Sequence, residues 1–180
     1  MTVTDGLNEI EYKGKTRVVI GKFDGIHTGH QKLIHAITDK CDDLKSVVFT
    51  FTFASEVYLD KVNRILSEED RRKKFEELGT DILVEYELND VTAKMEPEEF
   101  ARVLLKERLH AAEVYCGPDL SFGYKGRGDV ALLKKLGKKL GIKVVVIDKV
   151  KYMGEDISST RIREAIKTGH LQDAENMLRG

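Results

Sequence analysis

The chain is 180 residues long, 41% hydrophobic and 34% charged, and its 30 Lys+Arg against 31 Asp+Glu give a formal net charge of -1. That length suits one domain with a sizeable core, and the even charge balance offers no global attraction to nucleic acid. No apolar run approaches the roughly 20 residues of a membrane span, and the two cysteines, Cys41 and Cys116, are too few for a secreted disulfide framework.

Residues 1–6 lack the basic and apolar regions of a secretory signal, so a reducing cytoplasm is the expected setting. The first strand signal is the apolar run at 17–20. It leads into Gly21-Lys22-Phe23-Asp24-Gly25-Ile26-His27-Thr28-Gly29-His30 and then into a helical pattern over 31–40 carrying Leu33, Ile34 and Ile37. Gly25 and Gly29 bracket the first histidine, which leaves backbone free of side chains beside a helix N-terminus, an arrangement suited to a nucleotide phosphate.

Strands follow at 46–53 and 82–86, separated by a helix over 68–78 that begins after Ser67, a good N-cap followed by acidic residues. Pro97 fits the first turn of a third helix carrying Phe100, Val103, Leu104 and Leu105. A strand at 113–116 ends in Cys116, read as a small buried hydrophobe. Residues 117–128 hold four glycines and a proline and form a long loop, after which Asp129 caps a helix carrying Leu132, Leu133, Leu136 and Leu140. A strand at 143–147, a turn or hairpin at 149–156 and helices over 159–167 and 171–178 complete the chain. Alternating strands and helices predict an α/β fold with a parallel sheet covered on both faces.

Two histidines three residues apart and Ile157-Ser158-Ser159-Thr160-Arg161-Ile162-Arg163 carry a family resemblance. The first segment resembles the His-x-Gly-His signature of nucleotidylyltransferases and the second their other phosphate-binding motif. With Gly117-Pro118-Asp119-Leu120-Ser121-Phe122-Gly123 between them, similar to a Gly-x-Asp-Phe-x-Phe-Gly loop, the chain resembles the FMN adenylyltransferase module of bacterial FAD synthetases. The resemblance implies a Rossmann-like, doubly wound, five-stranded sheet of order 3-2-1-4-5 with C-terminal helices. Loops 21–30 and 117–128 would then meet at its switch point. It further implies one nucleotidylyltransferase domain over residues 1–180, without a riboflavin kinase domain.

The implied reaction joins FMN to the AMP part of ATP. His27, His30 and Arg163 would stabilise the transferring phosphates, with Gly21, Phe23, Asp24, Gly25, Gly29, Ser158, Ser159 and Thr160 forming the ATP site. Asp24 would pin its loop rather than act as a base. Phe53, Asp119, Phe122 and Gly123 would lie on the flavin side. Mg²⁺ is expected with ATP, held by phosphate oxygens and water rather than by protein ligands. Two departures from the family pattern stand out: Lys22 occupies a position where a small amide is common, and Thr52-Phe53-Ala54-Ser55 replaces a usual Asp-Pro-His-Pro.

Blander readings stand beside these. Ser158-Ser159-Thr160 alone reads as a helix cap, and Asp119, Phe122 and Gly123 fit a surface turn equally well. His35, His110 and His170 read as ordinary surface or core histidines, and Arg71-Arg72-Lys73-Lys74, flanked by acidic residues, as an exposed helix face. A cytidylyltransferase, a pantetheine-phosphate adenylyltransferase-like enzyme and a non-catalytic nucleotide-binding module are the alternative functions.

Overall fold

A computed structural model describes residues 1–53 and 64–179. Its large sheet contains β1 (Thr2–Thr4), β2 (Thr16–Ile20), β3 (Lys45–Phe53), β4 (Ile82–Leu88), β5 (Ala111–Cys116) and β6 (Lys143–Val146). All pairings are parallel, in the spatial order β1-β4-β3-β2-β5-β6. Counted from β2, this is the expected order 3-2-1-4-5, so the doubly wound α/β architecture stands. The strand count is corrected from five to six by β1, which pairs with β4 through Thr2↔Ile82, Val3↔Leu83 and Thr4↔Val84. Three residues are too short to show a period, and their partner lies some eighty positions downstream.

Period-two alternation sends neighbouring strand residues to opposite faces. Val18, Ile20, Val47, Phe49 and Val84 form one core with Phe100, Leu104, Leu105 and Leu133. Val19, Val48, Leu83 and Tyr115 form the other with Leu33, Ile34, Ile37 and Phe75. The second core is covered by α1 (Thr28–Thr38) and α2 (Glu68–Glu77), whose Ser67 cap accepts a bond from the Asp70 amide. Covering the first are α3 (Pro97–Glu99), its continuation Phe100–Arg108, and α4 (Val130–Leu140). Asp129 caps α4 by accepting from the Leu132 N–H at 2.7 Å.

The continuation of α3 differs from the ordinary α-helix expected there. It is wound in wider π turns, and the Leu109 N–H donates to the Leu104 carbonyl, an i→i+5 bond of 3.0 Å. Buried Phe100, Leu104, Leu105 and Leu109 recur at that wider spacing, so the turn follows the face that must be covered.

Past β6 comes a short hairpin, β7 (Lys151–Tyr152) with β8 (Glu155–Asp156). Its two central residues, Met153 and Gly154, both have positive φ, +52° and +84°, the twist that suits a two-residue connection. Then follow α5 (Ser159–Lys167) and α6 (Leu171–Leu178), joined through a small core of Ile157, Ile162, Ala174 and Met177. Among the described residues, no helix is long and apolar enough to cross a membrane.

Candidate nucleotide site

The site begins where β2 ends. The Gly21 N–H still donates to the Phe49 carbonyl at 3.1 Å, and the Thr50 hydroxyl donates to the Lys22 carbonyl at 3.0 Å, so the loop leaves the sheet anchored to β3. Two residues then adopt left-handed backbone, Phe23 at φ +50° and Ile26 at φ +43°. For a β-branched residue such as Ile26 this is strained, at a cost of about 1–3 kcal/mol that its surroundings must enforce. It immediately precedes His27.

The glycines of this loop also make room for neighbouring side chains. A Cβ on Gly21 would lie 2.8 Å from the Phe23 ring and one on Gly25 2.9 Å from the Ile65 side chain. Both admit a protein side chain, and Gly21 also lines the cavity. At Gly29 the neighbour is the His27 ring, 3.3 Å from where a Cβ would sit.

His27 caps α1: its Nδ1 accepts from the His30 N–H at 3.4 Å. Its ring stacks on that of His30, with centroids 3.7 Å apart and planes 17° apart, while Phe23 supports His30 edge-on at 5.0 Å. Burial pushes the His27 pKa down to about 4. Burial, and secondarily the neighbouring His27, pushes His30 down to about 3. Both imidazoles are therefore neutral near pH 7. Because Nδ1 of His27 is an acceptor, its proton sits on Nε2, which makes that nitrogen a hydrogen-bond donor.

The loop is clamped from the far end of the chain. The Gln31 amide donates to the carbonyls of Ile26 and Leu178, each at 2.9 Å, and the Thr28 hydroxyl to that of Met177 at 2.8 Å. Arg163 of α5 donates to the Asp24 carboxylate. Arg161 points away, to the hairpin carbonyls of Tyr152 and Glu155.

A cavity of about 350 Å³ lies above the C-terminal ends of β3, β2, β5 and β6. It includes the switch between β2 and β5 where ligands of such sheets collect. His27, His30, Gly21 and Gly29 line it from the first loop, Asp119 from the loop after β5, and Ser158 and Ser159 from the start of α5. The Ser158 hydroxyl accepts from the Arg161 N–H at 3.2 Å, so it caps α5 and faces the cavity. Thr160 is exposed and off the wall, and Phe23, Asp24, Gly25 and Arg163 do not line it either.

The flavin-side expectations divide. Asp119 lines the cavity, paired with Lys149 at 3.1 Å. Phe122 instead is 3% exposed in the main core, with its ring 5.4 Å from that of Phe100. Gly123 has φ +72°, and a Cβ there would meet Pro97 at 2.7 Å. These two hold the loop together: Phe122 and Gly128 exchange backbone bonds of 2.9 and 3.0 Å, turning the chain back into the core. Phe53 closes β3 opposite Leu88, but its side chain, like Ala54 and Ser55, lies outside the described residues.

Among the wall residues that escaped the sequence reading as site residues are Phe51, Lys22 and Lys149. Phe51 lies on β3, in the strand that the sequence signals at 46–53. Lys149 follows β6, whose end opens at the same sheet edge as the two glycine-rich loops, and it also reaches Asp156 at 3.7 Å. Among the described residues, no group of three or more histidine, cysteine, aspartate or glutamate side chains is arranged to hold a metal ion. Cys116 is fully buried and its thiol is pushed up to about 11 by burial, in keeping with a packing role.

The chain is similar to several known proteins. The FAD synthetase family profile matches residues 9–161. A bifunctional riboflavin kinase/FMN adenylyltransferase of Buchnera aphidicola is 31% identical over 185 residues, covering 99% of this chain and 59% of that protein. An FAD synthetase of Listeria monocytogenes is 31% identical over 172 residues, covering 89% of this chain and 67% of that one. Among solved structures, one described as a macrolide-efflux protein from Streptococcus pneumoniae superposes with a TM-score of 0.83 at 28% identity, over 99% of this chain and 62% of that one. The chain thus spans about three-fifths to two-thirds of the length of these relatives.

Proposed function

The chain belongs to the FAD synthetase family, and from that premise we propose that it transfers AMP from ATP to FMN, giving FAD and pyrophosphate. A phosphate oxygen of FMN attacks the α-phosphorus of ATP in line, the bond from that phosphorus to the bridging oxygen breaks, and pyrophosphate carries the electron pair away. No side-chain nucleophile is needed. The protein contributes position and preorganised donors.

The observation that carries this reading is the convergence of the stacked His27–His30 pair and the N-terminus of α5 on one cavity. As neutral donors, the imidazoles hydrogen-bond the α-phosphate oxygens on which charge develops. Backbone N–H groups and hydroxyls of Ser158 and Ser159 receive the β- and γ-phosphates at the positive end of the helix. Arg163 adds a guanidinium fork once phosphate competes with Asp24 for it. Mg²⁺ bound with ATP supplies further charge neutralisation through phosphate oxygens and water. Residues 1–180 act as one nucleotidylyltransferase unit, in the cytoplasm where ATP is supplied.

Purified protein incubated with ATP, Mg²⁺ and FMN should yield FAD and pyrophosphate in equal amounts. Pyrophosphate released only with a different phosphorylated acceptor, or nucleotide binding without any product, overturns the assignment.

A further inference from the structure

Lys22 is exposed, lines the cavity, and forms no ion pair among the described residues. Its place is unusual in electrostatic terms. The cavity wall carries two ammonium groups among the described residues, Lys22 and Lys149, and Lys149 is already shared between Asp119 and Asp156. The histidines are neutral, and Arg163 is paired with Asp24 off the wall. Lys22 is therefore the wall ammonium without an ion-pair partner among the described residues, on a wall that also carries the carboxylates of Asp119 and Asp148.

Topology says which anion it meets. The wall includes Phe51 on β3, Lys22 and the histidines after β2, the loops after β5 and β6 and the start of α5. With the departing pyrophosphate at the α5 end, in-line displacement requires the attacking oxygen to enter from the other end. On this reading the acceptor enters beside Phe51, which supplies an aromatic wall, and Lys22, whose carbonyl is fixed by Thr50. We propose that Lys22 is the acceptor-phosphate residue of this site: its ammonium receives the phosphomonoester of the incoming acceptor and offsets its repulsion from the ATP α-phosphate. The chemistry selects a phosphorylated acceptor over its dephosphorylated counterpart. The proposal rests on the adenylyltransfer reading and adds to it a residue that discriminates by phosphate.

Riboflavin and FMN differ by that phosphate alone, so flavin fluorescence titrations of the wild type, Lys22→Met and Lys22→Arg isolate the contact. Met keeps the apolar stem and removes the charge. Lys22→Met should weaken FMN binding by about 10- to 100-fold, the range of a charge-assisted hydrogen bond, and leave riboflavin binding and the thermal midpoint unchanged. Lys22→Arg should restore most of the FMN affinity. Equal weakening of both flavins, or none for either, overturns the assignment. If the wild type makes FAD while Lys22→Met keeps its full preference for FMN, Lys22 is eliminated and the adenylyltransfer reading survives. If the wild type makes no FAD, that reading falls and Lys22 loses its role with it.

Discussion

Arg163, on the second turn of α5, is ion-paired with Asp24 in the loop after β2, although 139 residues separate them along the chain. This pair joins the two segments that hold the proposed phosphate contacts, and it sets a guanidinium beside the cavity while a carboxylate holds it off the wall. On the proposed reading, an entering triphosphate competes with that carboxylate for the guanidinium.

Arg163→Ala should lower kcat/KM for ATP by about 10²- to 10³-fold, the usual effect of removing one preorganised donor to a transition state. The pair is partly exposed, 40% on the arginine side and 18% on the aspartate side, so its loss should cost no more than about 1 kcal/mol, or roughly 2–4 °C in Tm. Arg163→Lys should recover little, because a point charge lacks the planar fork. Steady-state kinetics beside a thermal melt checks this; an unfolded Arg163→Ala protein would move the residue from chemistry to scaffolding.

His27 has two separable duties. Its Nδ1 caps α1, and the residue lines the cavity. Asparagine can accept the same capping bond without presenting an imidazole, so His27→Asn should be more stable than His27→Ala by about 1 kcal/mol. Turnover should fall by about 10²- to 10³-fold in both variants alike. An active His27→Asn enzyme would show that the cap is the whole role of this side chain.

The elements with local signals were legible in the sequence. Ser67 and Asp129 are side-chain caps where expected, α5 and α6 keep their expected bounds, and 149–156 contains the hairpin. What failed depends on distant partners. β1 is defined by β4, and the loop 117–128 is defined by Phe122 folding under Phe100 and pairing with Gly128. Glycine content alone does not reveal whether the vacated space takes a ligand or a neighbouring ring; at Gly21, Gly25 and Gly128 it takes a side chain.

The exchange of roles between two phenylalanines follows from that distinction. Phe122→Ala removes a fully packed ring from the main core and should cost about 3–5 kcal/mol. Phe51 is only partly buried and faces the cavity, so Phe51→Leu should cost less than about 1.5 kcal/mol in stability while raising the KM for FMN more than that for ATP. Denaturant titrations and two-substrate kinetics on both variants separate these outcomes. Equal effects of Phe51→Leu on the two substrates would remove Phe51 from the acceptor side.

The buried histidine pair also makes stability depend on pH in a definite direction. Both folded values, about 4 for His27 and about 3 for His30, lie below the 6.5 of an unburied imidazole. As pH falls below about 6.5 the unfolded chain takes up protons that the folded chain refuses, so unfolding gains at up to about 1.4 kcal/mol per pH unit for each imidazole. The stabilisation is fully present above 6.5 and is lost progressively as pH falls toward the folded values. Carboxylates join only near and below their ordinary values of about 4, which leaves pH 6.5 to 5 as a window dominated by histidine titration. Urea unfolding at pH 7.0, 6.0, 5.5 and 5.0 should show the wild type losing stability through that window. The double variant His27→Asn/His30→Asn should lose distinctly less. Parallel pH slopes for the two proteins would mean that the stacked imidazoles are not held neutral by burial, and the neutral-donor role assigned to them above would have to be given up.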